Sequence, residues 1–106
     1  MYARTVRMEL KPNSVAEFTR LLENEVIPML RKQHGFKDEI AFLPTDGREA
    51  TAISVWEERE YAEAYGRSTY PEVLKTLAKV VVGTPQVNTC EVTNSTFHKI
   101  AARITV

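Results

Sequence analysis

FKDEIAFLPTDGREATAISVW, residues 36–56, is the stretch that decides how this chain folds. Phe36, Ile40 and Phe42 alternate with Lys37 and Glu39, and Ala50 to Trp56 is rich in β-branched residues, both marks of extended backbone. Between the two runs, Pro44-Thr45-Asp46-Gly47 carries the residue types that reverse a chain within a few positions. A β-hairpin therefore occupies the middle of the sequence.

Toward the N-terminus the pattern is again strand, then helix. Tyr2, Val6, Met8 and Leu10 alternate with Thr5, Arg7 and Glu9, with Arg4 the exception on the apolar side. Pro12 ends that strand, and Ser14 with Glu17 has the spacing of a capping box. Val15, Phe18, Leu21, Leu22, Val26, Met29 and Leu30 then form one apolar stripe at helical spacing. Pro28 lacks an amide hydrogen and predicts a kink near Asn24, while Gly35 supplies a left-handed stop, so a helix is expected over 14–34.

Toward the C-terminus a short helix is expected over 57–65, closed by Gly66, with Tyr61 and Tyr65 one turn apart. Thr69 and Glu72 have the spacing of a second capping box around Pro71, followed by an apolar stripe of Val73, Leu74, Leu77 and Val81 that ends at Gly83. After Pro85, residues 87–96 have strand composition. The last segment, with Phe97, Ile100, Ile104 and Val106, is apolar enough to pair with a partner subunit.

The order strand, helix, hairpin, helix, strand predicts an α+β fold: a ferredoxin-like β-α-β-β-α-β antiparallel sheet with both helical regions on one face, filling residues 1–106 as one domain. Placing Val6, Met8, Ile40 and Phe42 under the helices leaves Ala3, Thr5, Ala41, Leu43, Cys90 and Val92 on the other side. That face is too apolar to stay wet. A second copy is the economical cover, so a homodimer closed into a dimeric α/β barrel is expected.

Composition narrows the partners. A chain of 106 residues is long enough to bury roughly 65% of its unfolded surface in a single core. Fourteen Lys and Arg balance fourteen Asp and Glu, which removes the positive field that phosphate binding requires, so nucleic acid is not an expected partner. The densest basic pair, Arg31-Lys32, falls at a helix C-terminus where cations meet free carbonyls. Cys90 is the only cysteine, which excludes an internal disulfide, and its place beside Val92 in a strand predicts a buried structural thiol. Met1-Tyr2-Ala3-Arg4 leads straight into strand-like sequence, and no apolar run reaches bilayer length; no membrane association and a cytoplasmic address are expected.

Chemistry-bearing motifs are few. The sequence has no Gly-rich phosphate loop, no Cys/His metal spacing and no nucleophile elbow. His34, at a helix end, and His98, beyond the last strand, have no acidic or nucleophilic neighbour in sequence. Trp56, at the close of a strand and ahead of Tyr61 and Tyr65, is more informative. Indole and phenol groups meeting there would line a pocket for a flat aromatic ligand, although aromatics at such a junction are more often core.

The opening strand followed by Lys11-Pro12-Asn13-Ser14, the helix closing at His34-Gly35-Phe36, and the run SVWEEREYAEAY over residues 54–65 resemble the antibiotic biosynthesis monooxygenase-like family. The likeness covers nearly the whole chain, and Trp56-Glu57 ahead of an Ala- and Tyr-rich helix is its most specific part. It implies the dimeric barrel and, as in some members, oxidation of quinols or polyketide anthrones by oxygen with no cofactor. Other members degrade haem, using a histidine on the helix after the tryptophan and an asparagine on the first strand. Here those places hold Tyr65-Gly66 and Thr5 or Arg7, so the axial donor is missing and haem breakdown ranks last.

The resemblance thus implies a monooxygenase acting on a quinol or polyphenol, with a non-catalytic metabolite-binding dimer as the alternative. Trp56, Tyr65 and Arg7 are the expected catalytic residues, and Arg4, Ser54 and Tyr61 the expected substrate contacts, with no metal. Arg4 or Arg7 would serve as the cation near a developing anion. Alternation sets Trp56 opposite Ile53 and Val55 and aims it into the barrel interior, whereas the family pocket lies between sheet and helices. A bulge at the end of the strand would bring the two into agreement.

Overall fold

The computed structural model describes residues 1–97 of the chain. Over them run β1 (Tyr2–Leu10), α1 (Val15–Leu21), a π-helical turn (Leu22–Val26), α2 (Ile27–Arg31), β2 (Phe36–Phe42), β3 (Glu49–Trp56), α3 (Arg59–Ser68), α4 (Tyr70–Leu77) and β4 (Val81–Glu91). The strands form one antiparallel sheet in the order β2-β3-β1-β4, with the helices on a single face, as the ferredoxin-like expectation required. No helix among the described residues is long and apolar enough to cross a membrane.

Pro28 explains the break in the first helical region. It offers no N–H to the Asn24 carbonyl four residues earlier, so the helix widens into the π turn and resumes with Pro28 inside the first turn of α2, where a missing donor is harmless. Gly35, at φ +79, then turns the chain into β2. Neither capping box forms. Ser14 has φ −105 and ψ 3 rather than an extended cap conformation, its hydroxyl reaches the Pro12 carbonyl at 3.4 Å, and Glu17 pairs with Arg20 instead. Thr69 is itself helical, so α3 runs past Gly66 to Ser68 and almost joins α4. Gly83 is not a helix stop either: it lies within β4 at φ +66, beside a register shift against β1.

Strand alternation places Tyr2, Arg4, Val6, Met8 and Leu10 of β1, with Ala50, Ala52, Ser54 and Trp56 of β3, beneath the helices. Met8, Leu21 and Trp56 are the largest side chains closed off completely. The strand β2 departs from simple alternation. Phe36 pairs with Trp56, but Asp38 pairs with Val55, so Lys37 is an extra residue and every later side chain changes face.

That bulge corrects several expectations. Ile40 and Phe42 lie on the open face opposite the helices, 39% and 51% exposed, while Glu39 and Ala41 take the helix side. Trp56 does stand opposite Ile53 and Val55, yet it points under the helices rather than into a barrel interior, and β3 needs no bulge of its own to put it there. Cys90, paired with Ala3 on the open face, is exposed rather than buried. Phe97 is 78% exposed, and His98, Ile100, Ile104 and Val106 lie outside the described residues.

Candidate functional site

The site begins as a row across the sheet. Glu39 of β2 pairs with Ser54 of β3, and Ser54 with Arg4 of β1, so three polar side chains stand abreast beneath the helices, with Arg4 and Glu39 rooted about 10 Å apart at ordinary strand spacing. Arg4 is 6% exposed. Its guanidinium carbon lies 5.2 Å from the centre of the Tyr65 ring, brought by α3, and 4.6 Å from that of Tyr70, brought by α4. Gly66 makes this approach possible, because a Cβ there would stand 2.7 Å from Arg4 Nη1.

Arg4 has no carboxylate partner among the described residues, and its Nε has no hydrogen-bond acceptor. Burial lowers its pKa and the two tyrosines act the other way; a guanidinium starts so high that it stays charged. Tyr65 is pushed up to about 12, chiefly by burial and against the pull of Arg4, so its phenol is neutral near pH 7. Burial also raises Tyr70. Across the row, Glu39 is raised by burial alone, and its Oε2 is enclosed without a partner.

Trp56 braces one end. Its indole N–H donates to Ser54 Oγ at 2.8 Å, its ring lies 4.9 Å from that of Tyr65, and Phe36 meets it edge-on at 5.6 Å. The Ser54 hydroxyl accepts that bond and keeps its own hydrogen to donate. Over the row lies a cavity of about 40 Å³, bounded by Arg4, Glu39, Ser54, Tyr65 and Tyr70 and otherwise by apolar side chains, with Leu22 and Val26 supplied by the π turn. It has room for water but not for an aromatic ring. Glu39 and Leu22 also border an outer cleft of about 210 Å³ between α1, the π turn and β2. Opening the partition they form would join the two spaces.

Of the residues expected from sequence, Trp56, Tyr65, Arg4 and Ser54 come together here. Arg7 and Tyr61 do not. Arg7 is on the open face, bound to Glu49 at 2.9 Å, because its odd position in β1 turns it away from the helices. Tyr61 packs against Gly35 and meets His34 edge-on at 4.5 Å, away from the cavity lining. Glu39 and Tyr70 were missed. Tyr70 had a signal, since a lone arginine on the apolar side of β1 calls for aromatic or acidic company. Glu39 had none, because its face depends on the bulge. Among the described residues, no histidine lines the cavity.

A four-stranded antiparallel sheet with its helices on one face places the chain among the small ferredoxin-like α+β domains. Sequence comparison identifies the group within that class. The chain belongs to the antibiotic biosynthesis monooxygenase family, whose model matches residues 1–84. No curated protein matches it.

Solved structures with the same fold include a putative antibiotic biosynthesis monooxygenase from Bordetella bronchiseptica, 14% identical with a TM-score of 0.72, covering 85% of this chain and 94% of that one. SnoaB, a cofactor-independent oxygenase from Streptomyces nogalater, is 14% identical with a TM-score of 0.71, covering 90% and 95%. A monooxygenase from the ActVA-Orf6 gene of Streptomyces coelicolor, in complex with nanaomycin D, is 17% identical with a TM-score of 0.71 and covers 84% of each chain.

Proposed function

We propose that this chain works as a homodimer and as a cofactor-independent monooxygenase on a quinol or polyphenol. The carrying observation is Arg4, a charged guanidinium held beneath the helices without a carboxylate partner among the described residues, its stem on the sheet and its head against two phenol rings. An unpaired cation in such surroundings is costly to keep unless an anion joins it. A phenolate is the anion suited to an aromatic cavity.

For a simple hydroquinone, one molecule of the diol and one of dioxygen give one hydroxybenzoquinone and one water. One oxygen atom enters the ring, the other leaves as water, and the substrate supplies all the electrons. The protein's part is to exclude water, take up the phenolic proton and hold the resulting charge beside Arg4, so that the electron-rich anion meets oxygen. Tyr65, backed by Trp56, orients the ring, and Ser54 offers a donor at the cavity floor. The ligand enters from the outer cleft once Leu22 and Glu39 move aside. The description of SnoaB as a cofactor-independent oxygenase supports this reading.

The open face supports the homodimer. Ile40, Phe42, Ile53 and Val55 lie together on a side that the chain's own helices leave bare. Sedimentation of the purified protein at micromolar concentration tests this, and the mass of a single chain would refute it. For catalysis, oxygen uptake is recorded with metal-free protein over a panel of hydroquinones. Uptake above the uncatalysed rate, saturable in substrate, is expected, and the uncatalysed rate across the whole panel would refute it. The competing reading is a dimer that binds a metabolite without turnover, for which the panel would yield saturable binding alone.

A further inference from the structure

Glu39 is the only acidic side chain among the described residues that line the inner cavity. It owes that place to the extra residue at Lys37; without the bulge, its side chain would face the open side of the sheet. A carboxyl group turned inward by a break in strand register, with an enclosed Oε2 that bonds to nothing, has been given no structural partner. It stands in register with Ser54 and Arg4, so the row offers, from one side to the other, an acceptor, a donor and a cation.

We propose that Glu39 is the proton acceptor of this site, and that its ligand is a phenol conjugated to a second oxygen at the far end of its ring system. The inference rests on the preceding reading that the cavity takes a phenol. The hydroxyl lies at Glu39 and the acceptor oxygen, a carbonyl or its equivalent, at Arg4. The O–H bond breaks, the proton passes to Glu39 Oε2, and the electron pair stays on the ligand, where conjugation carries charge toward the guanidinium. No oxidant enters this step. Proton and negative charge leave the hydroxyl in opposite directions, which suits an acid and a cation rooted about 10 Å apart better than a ligand with a single polar end.

The surroundings of Glu39 favour this role. Inside the cavity it shares the lining with Arg4, Tyr65 and Tyr70, and on the outer side Glu23 of the π turn borders the same cleft. Burial raises its pKa, with no cation offsetting the shift, which strengthens it as a base toward a phenol. Ser54, already accepting from Trp56, has one hydrogen free for the ligand midway along the row.

The probe is 4-nitrophenol, whose nitro group supplies the acceptor oxygen and whose anion absorbs apart from the neutral form. It is titrated with the full chain below the pH at which the free phenol ionises. The wild-type protein is expected to develop the nitrophenolate band on binding. Glu39→Gln is expected to bind the neutral form, with the anionic share of bound ligand down by about tenfold or more, equivalent to one pKa unit. Glu39→Asp, tested alongside with thermal melts of all three proteins, should recover part of the band.

Equal nitrophenolate in wild type and Glu39→Gln would overturn the proposal, as would neutral binding by the wild type. Absence of binding would remove the phenol reading as well. A Glu39-dependent band with no oxygen uptake on the hydroquinone panel would uphold the proton acceptor and refute the oxygenase.

Discussion

Replacing Arg4 with methionine removes a guanidinium that is 6% exposed while keeping a side chain of similar length. Two opposing quantities set the effect on stability. The contacts with Tyr65 and Tyr70, at 5.2 and 4.6 Å, contribute about 1 kcal/mol each in a partly dry site. Against them stands the cost of keeping a cation with an unbonded Nε out of water, about 2 to 4 kcal/mol once residual solvation through the cavity is allowed for. Arg4→Met should therefore be between neutral and about 2 kcal/mol more stable, with the melting temperature rising by about 5 °C for each kcal/mol. Activity should move the other way, falling about 100- to 1,000-fold in kcat, as when a preorganised partner of a developing anion is lost. Urea unfolding followed by the fluorescence of Trp56, the single tryptophan, gives the first quantity, and oxygen uptake with the best hydroquinone gives the second. A variant several kcal/mol less stable with turnover intact would refute the reasoning, because Arg4 would then be a structural residue.

Three further outcomes are expected. Burial raises the pKa of Glu39 above its ordinary 4.5, so the folded state holds its proton more tightly than the unfolded one, and the stability linked to it is fully present below about pH 4.5 and lost as pH rises through the folded value. Glu39→Gln should accordingly match wild type in acid and melt higher at pH 7; a pH-independent difference between their melts would contradict this. Gly66→Ala gains about 1 kcal/mol of helix propensity but drives a Cβ to within 2.7 Å of Arg4 Nη1, so unfolding should change by less than about 1 kcal/mol while the guanidinium is displaced and oxygen uptake falls. Unchanged uptake would show that the guanidinium need not lie against α3. On the open face, Ile53→Glu should convert the dimer to a monomer in sedimentation with the circular dichroism of the fold retained, and a persisting dimer would move the interface elsewhere.

What could be read in the chain, and what could not, follows from the range of each signal. The strand β1 announced itself because its alternation, Arg4 apart, runs from Tyr2 to Leu10, and the same period placed Arg4 on the apolar side, where it is found. The break near Asn24, expected as a kink and found as a π turn, was legible because Pro28 acts on a carbonyl four residues away. Trp56 and Tyr65 were legible as aromatic residues at a strand-helix junction, and Tyr65 lines the cavity with Ser54 while Trp56 packs behind them; Arg7, one strand position out of phase with Arg4 and Met8, cannot reach it. The capping boxes failed for a different reason: spacing records which residues can bond, but the helical backbone of Thr69 and the turn at Ser14 decide whether they do. Gly66 read as a helix stop because a glycine's reason for being there can lie in another element, here the guanidinium beneath it.

The bulge in β2 left no mark, since Phe36-Lys37-Asp38-Glu39-Ile40 reads as ordinary alternation until it is paired with β3. Yet it links the two halves of the functional proposal. One added residue at Lys37 turns Glu39 inward and, by the same shift, turns Ile40 and Phe42 outward beside Ile53. With unbroken alternation, Asp38 would stand beside Ser54, Ile40 and Phe42 would lie under the helices beside Ala52 and Ala50, and the open face would carry the charge of Glu39. The place of Glu39 in the row and the apolar exterior are therefore consequences of one local irregularity on an edge strand, where the ladder tolerates an unpaired residue most easily. An interior Glu39 and a second copy on the outside stand or fall with the register of a single strand.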